Sequence, residues 1–346
     1  MSEGTQAGRT PPLASSPVRG ARVRGLLHGL AVGEVLGAGA APTGVLTHGV
    51  ATQLACFTAA ASIRSCLRHA VTGSADGRAD LLEAYRQWAR VWSAGREPSV
   101  AWLDEVPLLA HATGAAADTV RGLATGGGGT RREPVTTADG WHALARALPL
   151  AAQVGRDAAG AVEVAVDSAA LTHGPRAFAP TALAVLVAGA ALRTGDPVQA
   201  VADGITAAIL LGVDFAAVSV ADDAVRAARE APGSPVVLRS GAPDGSAAAA
   251  LWGATYCLLS HPGRTTAALA LAATAPDPVA VSCVTGALLG AAHGDGALPQ
   301  PVLTRIDLAY VVDRLARDLA RVNRVNPDGS REASSDPAWR ARYGIS

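Results

Sequence analysis

The stretch Arg24–Gly37 reads RGLLHGLAVGEVLG, and it opens the part of the chain that carries helical patterns. Residues 1–20 are rich in Pro, Ser and Gly, a composition that predicts a disordered tail. Of the 346 residues 49% are hydrophobic but only 4% aromatic, so the apolar content is mostly Ala, Val and Leu. Small side chains let helices approach closely. We therefore expect a compact, Ala-rich helical body.

Apolar periodicity predicts an all-α fold, with one helical domain over residues 21–325 and a polar C-terminal tail over residues 326–346. A charged segment from Arg305 to Asn326 predicts one amphipathic helix, and only Pro235–Ser240 has the composition of a strand. The clearest helices are predicted at Ala51–Ala70, Ala79–Trp92, Trp102–Thr113, Gly140–Val154, Ala158–Thr172, Pro175–Arg193, Pro197–Leu211, Phe215–Glu230, Ser246–Ser260 and Val279–His293.

Composition excludes several kinds of site. All 29 basic residues are Arg, so the chain can neither form a Schiff base through Lys nor complete a Walker A loop. The net charge of zero argues against a broad nucleic-acid surface, and we expect no nucleic-acid partner. The four cysteines form no CxxC pair, which predicts buried thiols rather than structural zinc. Gly126–Gly129 is predicted to be a flexible loop.

The N-terminus lacks the apolar core of a secretory signal. The longest apolar run, FAPTALAVLVAGAAL from Phe178, is shorter than the roughly 20 residues that a membrane span needs. Together these observations predict a soluble cytoplasmic protein with no membrane partner.

A junction between a loop and a helix occurs at Gly44–Cys56, GVLTHGVATQLAC, with Thr52 and Gln53 at the first helical positions. Many metal-dependent hydrolases place a pair of carboxylates at such a junction. This chain has Gly49, Val50 and Ala51 there, and none of them carries a charge.

Three segments, in order, resemble motifs of the ADP-ribosylglycohydrolase family. Arg24–Gly37 is similar to the family's RGALLGLAVGDALG. Gly140–Pro149, GWHALARALP, is similar to GNGALMRVAP and is followed by a matching LTHG at Leu171–Gly174. Ala275–Gly290, APDPVAVSCVTGALLG, is similar to GGDTDTIAAIAGALLG. The resemblance covers roughly residues 21–300 and implies a single-domain orthogonal multi-helix bundle with a two-magnesium centre.

The departures from these motifs affect the implied metal ligands. Where the family has TDDT this chain has GVAT at 49–52, and where the family has DTDT it has DPVA at 277–280. Of the carboxylates that would hold two metal ions, only Asp277 remains. Mg²⁺ binds through carboxylates and carbonyls, and two adjacent ions need several anionic ligands to offset their repulsion. We therefore expect no metal site and no cofactor.

Two acids are candidates for catalysis. Glu34 stands at the acid position of the family's GDALG, and Asp277 begins the third motif. Each also has a structural explanation, because Glu34 can make a capping contact inside the fold and Asp277 can cap the helix that starts near Val279.

The residues expected to bind a ligand follow from the same motifs. Trp141 and His142 replace the Asn and second Gly of GNG, and Trp141 either stacks on a base or packs in the core. A zinc site made of His48, His173 and Asp277 lacks an i,i+4 pair, and we do not expect it. The candidate ligand-binding residues are Gly49, Thr52, Gln53, Gly140, Trp141, His142, His173 and Asp277.

Three functions are compatible with this sequence. The first is a pseudoenzyme that keeps the cleft and binds an ADP-ribosyl or nucleotide-like ligand or a protein partner. The second is a metal-independent enzyme that acts on an N- or O-glycosidic bond of a nucleoside or ADP-ribosyl substrate, which needs two groups across the bond. The third is a structural or regulatory subunit that assembles through a helix face such as the one beyond Arg305.

Overall fold

The computed structural model describes residues 17–94, 102–322 and 336–345. Within these ranges the regular structure is helical, and extended backbone pairs only at the isolated bridges Leu46–Ile306, Gly49–Thr113 and Gly140–Ser246. The predicted all-α fold is confirmed.

The α-helices are α1 Pro17–Gly37, α2 Val50–Thr72, α3 Gly77–Ala94, α4 Ala117–Leu123, α5 His142–Ala147, α6 Ala151–Val154, α7 Ala158–Ala170, α8 Phe178–Thr194, α9 Pro197–Leu210, α10 Phe215–Glu230, α11 Pro235–Gly241, α12 Ala247–Ser260, α13 Thr265–Ala272, α14 Pro278–His293, α15 Gln300–Leu303, α16 Ala309–Arg321 and α17 Pro337–Arg342. Short 3₁₀ turns cover Trp102–Glu105, Pro107–Ala110, Leu148–Leu150, Pro175–Ala177 and Asp295–Ala297.

Helices α1 and α14 form the tightest contact in the core. A Cβ atom added to any of four α1 glycines would lie 2.0–2.4 Å from a backbone oxygen of α14; the pairs are Gly25 with Gly290, Gly29 with Gly286, Gly33 with Ser282, and Gly37 with Pro278. Residues four apart share one helix face, so the spacing of these glycines makes one flat stripe. The pairing runs in opposite directions along the two helices, which brings the end of α1 beside the start of α14.

Two predicted helices are broken by proline. The helix predicted over Trp102–Thr113 is wrong, because Pro107 lacks an N–H and the segment forms two 3₁₀ turns instead. The helix predicted over Gly140–Val154 is interrupted by a 3₁₀ turn at Pro149. The other predicted helices are present with ends shifted by a few residues.

Three further predictions change at particular residues. The strand suggested for Pro235–Ser240 is wrong, since this segment is helix α11, capped by the Ser234 hydroxyl. The amphipathic helix near the C-terminus is present as α16, which begins at Ala309 instead of Arg305, and residues 323–326 of the predicted helix lie outside the described residues. Within the predicted polar tail, residues 326–335 lie outside the described residues, and helix α17 follows and buries Trp339.

At the other end of the chain, α1 begins at Pro17, so the last residues of the predicted 1–20 tail are helical. Residues 1–16 of that tail lie outside the described residues.

Two segments are long and apolar enough, by length and composition, to cross a membrane. They are Val50–Thr72 and Pro175–Thr194, and 83% and 78% of their apolar windows are buried inside the protein. Core helices have these properties too, so the segments are weak evidence for a membrane span.

Candidate functional site

The N-terminus of α2 is capped by an acid from another helix. The Glu34 carboxylate, on α1, accepts hydrogen bonds from the backbone N–H of Ala51 at 2.8 Å and of Thr52 at 2.9 Å, and from the Thr52 hydroxyl at 2.6 Å. Glu34 and Thr52 are both buried. A carboxylate at this end satisfies N–H groups that have no partner within the helix and complements the helix dipole.

This carboxylate occupies the space beside Gly49. A Cβ atom at Gly49 would lie 2.1 Å from both the Cδ and an Oε atom of Glu34. The backbone at Gly49 has φ −96° and ψ 171°, which any residue can adopt, so glycine is required here by the carboxylate and not by backbone conformation.

Burial raises the pKa of Glu34, and the hydrogen bonds from Thr52, Ala51 and Gly49 act against that rise. The Cys283 thiol on α14 lies near both Glu34 and Asp277. Its pKa is raised well above the usual value, first by burial and then by these two carboxylates. Both candidate acids therefore act on the pKa of the same buried thiol.

The residues at this position do not fit the two magnesium ions that the family resemblance implies. Val50, Ala51 and Val279 carry no oxygen in their side chains, and both oxygens of Glu34 already accept hydrogen bonds. Among residues 17–94, 102–322 and 336–345, no three His, Cys, Asp or Glu side chains come together in a way that could hold a metal ion.

Gln53 connects α2 to the segment that covers it. Its Nε2 donates to the carbonyls of Leu109 at 2.9 Å and His111 at 2.8 Å, and its Oε1 accepts from Trp88 Nε1 at 3.0 Å. Gln53 is fully buried, so its polar atoms serve to join α2 to α3 and to the segment that contains Leu109 and His111.

His48 is also fully buried and belongs to the same network. Its Nδ1 lies 2.7 Å from Asp307 Oδ1, and its Nε2 lies 3.1 Å from Gln53 Nε2. With His48 paired to Asp307, the structure does not bring it together with His173 and Asp277 as the zinc alternative would require.

Asp277 caps α14, accepting a 3.0 Å hydrogen bond from the backbone N–H of Ala280. The space beside Gly245 is filled by Asp277 Oδ2, 2.6 Å from where a Cβ would stand, with Trp141 Cδ1 at 3.6 Å. Asp277, Gly245 and Trp141 therefore meet in one place.

Trp141 is 7% exposed and stacks on His142, with ring centroids 4.0 Å apart and an interplanar angle of 25°. Its backbone N–H donates to the Gly245 carbonyl at 3.0 Å. Burial, with the nearby Arg146 charge, lowers the pKa of His142 to about 4. Of the two roles considered for Trp141, stacking on a base or packing in the core, the structure shows the side chain packed in the core.

His173 is fully buried and only one of its nitrogens has a partner. Nδ1 lies 2.8 Å from the Thr172 hydroxyl, whereas Nε2 has no hydrogen bond to the described residues. Burial lowers the pKa of His173 to about 2, assisted by Arg146 and His142. His173 is therefore neutral at neutral pH.

Arg146 lies behind His173 and is itself fully buried. Its Nη2 donates to the Thr172 hydroxyl at 2.7 Å and to the Ser168 carbonyl, and its guanidinium lies 4.3 Å from the centroid of the Tyr85 ring. Its pKa is lowered by burial.

A cavity of about 600 Å³ opens beside these residues. Its lining includes Asp118, Thr136, Asp139, Gly140, Asp244 and Gly245. A Cβ atom at Gly140 would lie 3.3 Å from Asp118 Oδ2 and 3.6 Å from His173 Nε2. Gly140 therefore separates the cavity from the buried His173 ring.

The candidate residues fall into two groups. Gly140, Trp141, His142, His173 and Asp277 lie around the cavity or directly behind its wall. The others, Glu34, Gly49, Thr52 and Gln53, form a buried network at the start of α2.

Sequence reasoning missed Asp118, Asp244, Gly245 and the buried Arg146. Arg146 lies in the segment Gly140–Pro149, GWHALARALP, and its position among apolar residues could have indicated a buried arginine. Nothing local in the sequence links Gly245 to Gly140, since more than a hundred residues separate them.

A family model described as ADP-ribosylglycohydrolase matches residues 15–329. A solved structure described as an ADP-ribosylglycohydrolase-related protein complex is similar in fold, with a TM-score of 0.56 and 21% sequence identity. The match covers 89% of this chain and 99% of that one. None of the curated proteins matches.

Proposed function

The chain belongs to the ADP-ribosylglycohydrolase family, and we propose that it binds an ADP-ribosyl or nucleotide-like ligand without hydrolysing it through metal ions. The observation that carries this proposal is the Glu34 carboxylate, which takes up the space beside Gly49 and uses its oxygens to cap α2. Where this chain has Gly49–Thr52, the family's motif TDDT has acids that would bind magnesium.

The cavity next to Gly140 supports the binding half of the proposal. It has room for part of a nucleotide-sized ligand, and it combines carboxylates with the unpartnered Nε2 of His173 behind Gly140. Binding sites in proteins commonly combine such a concave pocket with a few polar groups that converge on the ligand.

A metal-independent glycosidase finds less support. Hydrolysis of a glycosidic bond needs two groups placed across it. Glu34 is buried at the start of α2, and Asp277 uses one carboxylate oxygen to cap α14, so the two candidate acids do not form a free pair across a substrate bond.

A structural or regulatory role is the second candidate. Val50 is 2% exposed and Trp141 is 7% exposed, so both side chains fill the region where the family's cleft would open. Against the helix-face version of this idea, α16 turns Val311, Val312 and Leu315 into the protein core.

Calorimetric titration with ADP-ribose in EDTA buffer tests the proposal. We expect saturable binding in EDTA that Mg²⁺ does not change, and at least a tenfold weaker affinity in His173→Ala. His69→Ala is the matched control, because His69 is an exposed histidine that does not line the cavity next to Gly140 and should bind as the wild type does.

The same preparation is then assayed for release of ADP-ribose from arginine- or serine-linked protein. We expect no turnover above background. Turnover that EDTA abolishes would overturn the proposal in favour of a metal enzyme, and no binding of ADP-ribose would overturn it in favour of the structural role. A cytoplasmic location and the absence of nucleic-acid partners are part of the proposal and rest on the sequence alone.

A further inference from the structure

A second cavity, of about 260 Å³, lies between the C-terminal half of α2 and helices α3, α6 and α7, and we call it the α2–α7 cavity. It shares no lining residue with the cavity next to Gly140. Cys66, in its wall, lies sixteen residues along α2 from Val50, which is about 24 Å at the rise of an α-helix. The α2–α7 cavity is therefore separate from the start of α2, where Glu34 caps the helix.

The inner wall of the α2–α7 cavity is mainly apolar. Ala61, Leu81, Leu150 and Ala161 line it, and each of them is at most 5% exposed. An apolar cavity of about 150 Å³ is large enough to bind benzene. The α2–α7 cavity therefore has room for an aromatic ring that carries a short side chain.

One hydrogen bond in the wall is already complete without a ligand. The buried Ser62 hydroxyl accepts from Gln153 Nε2 at 3.2 Å. These two side chains therefore favour an apolar ligand body over a polar one at this depth.

Charged side chains line the exposed edge of the α2–α7 cavity. Asp157 uses Oδ1 to cap α7, accepting from the Gly160 N–H at 2.9 Å, and the dipole of α7 complements its charge. The guanidinium of the exposed Arg156 makes no hydrogen bond or ion pair within residues 17–94, 102–322 and 336–345. Arg156 thus places a positive charge without a protein partner beside an apolar cavity.

We propose that the α2–α7 cavity binds a small amphipathic carboxylic acid, with its apolar body between α2 and α7 and its carboxylate at Arg156. A guanidinium can bind a carboxylate through two parallel hydrogen bonds, and an uncharged molecule of the same shape lacks that contact. This site is independent of the proposed function, so the failure of either proposal leaves the other standing.

NMR titration with 3-phenylpropionate and with the uncharged 3-phenylpropionamide tests the chemical class of the ligand. We expect the acid to bind the wild type at least fivefold more tightly than the amide, and Arg156→Ala to bind the two equally. Arg229→Ala is the matched control, because Arg229 is an exposed arginine on α10 that does not line the cavity and should leave the preference intact. Equal binding of acid and amide to the wild type, or no binding of the acid, would overturn the proposal.

Cys66 reports where the acid binds. It is half-buried in the wall of the α2–α7 cavity, whereas Cys56, Cys257 and Cys283 are at most 3% exposed. N-ethylmaleimide should therefore modify Cys66 first, and saturating 3-phenylpropionate should slow that modification at least fivefold, as measured by mass spectrometry of the peptides. Unchanged labelling of Cys66 in the presence of the acid would overturn the proposed site.

Filling the cavity gives a third test. Ala161→Leu extends a side chain into it and should weaken binding of the acid at least tenfold, whereas Ala159→Leu, at an exposed position of the same helix, should bind as the wild type does. Wild-type affinity in Ala161→Leu would contradict the proposal. The labelling of Cys66 uses the wild type, so it decides the matter if Ala161→Leu does not fold.

Discussion

Glu34 and Gly49 depend on each other. The carboxylate of Glu34 is held by two backbone N–H groups and the Thr52 hydroxyl, so it cannot swing aside easily when a side chain is introduced at Gly49. Sequence alone offered two explanations for Glu34, a catalytic acid or a cap within the fold. The structure gives it the capping contact, and the reason could not be read locally because the helix it caps begins sixteen residues later.

We predict that Gly49→Ala destabilises the protein by about 3 kcal/mol, because its methyl group would overlap the carboxylate 2.1 Å away. In a Glu34→Ala background the same change should cost less than about 1 kcal/mol, since the obstruction is gone. Urea denaturation of the four proteins of this double-mutant cycle measures the coupling. Additive effects would mean that the carboxylate does not occupy this space.

We predict that His173 makes the protein less stable in acid. Its folded-state pKa of about 2 lies below the value of about 6.5 for an unfolded histidine, so only the unfolded chain takes up the proton as pH falls below that value. The contribution is intact above pH 6.5 and is lost progressively below it, reaching about 2 kcal/mol at pH 5.

Denaturation curves at pH 7.5 and pH 5 measure this term. His173→Gln removes the titrating group, so the variant should lose about 2 kcal/mol less than the wild type over the same interval. His142 and Arg146, which face His173, are present in both proteins. Equal losses would show that His173 titrates normally.

At the scale of elements, the contact between α1 and α14 positions the site. Its glycines occur every fourth residue in RGLLHGLAVGEVLG, and this spacing was available in the sequence as a sign of a close helix crossing. The partner helix was not readable, because nothing in α1 identifies the glycines of α14. Apolar periodicity predicted correctly where most of the helices lie. It did not predict the breaks at Pro107 and Pro149, where proline has no N–H to continue the helix.

We predict that Gly29→Ala costs about 4 kcal/mol or more, because its Cβ would lie 2.0 Å from the Gly286 backbone oxygen, which cannot move independently of α14. Gly20→Ala on the same helix is the matched control. Nothing lies within 4 Å of its Cβ, so it should stabilise by about 0.5–1 kcal/mol. Thermal melts compare the two, and a similar effect of both changes would refute the close crossing.

At the scale of the whole molecule, the chain has the family fold, and we propose that it lacks the family's metal site. A family model matches residues 15–329, and the buried side chains of Glu34 and Val50 lie at the start of α2. The cavity beside Gly140 combines residues from α4, the loop before α5 and the loop before α12, which only the folded chain brings together. This is why the fold was predictable from ordered motifs and the cavity was not.

We propose that the Glu34 carboxylate lies where the family resemblance implies a two-magnesium centre. Anomalous diffraction from crystals soaked in millimolar Mn²⁺, an ion that takes the same oxygen ligands as Mg²⁺, tests it most directly. We predict no anomalous peak between the start of α2 and Asp277, with the Glu34 carboxylate in hydrogen-bonding contact with the N–H groups of Ala51 and Thr52. A pair of peaks near Asp277, with Glu34 turned away from α2 to ligate them, would contradict the account.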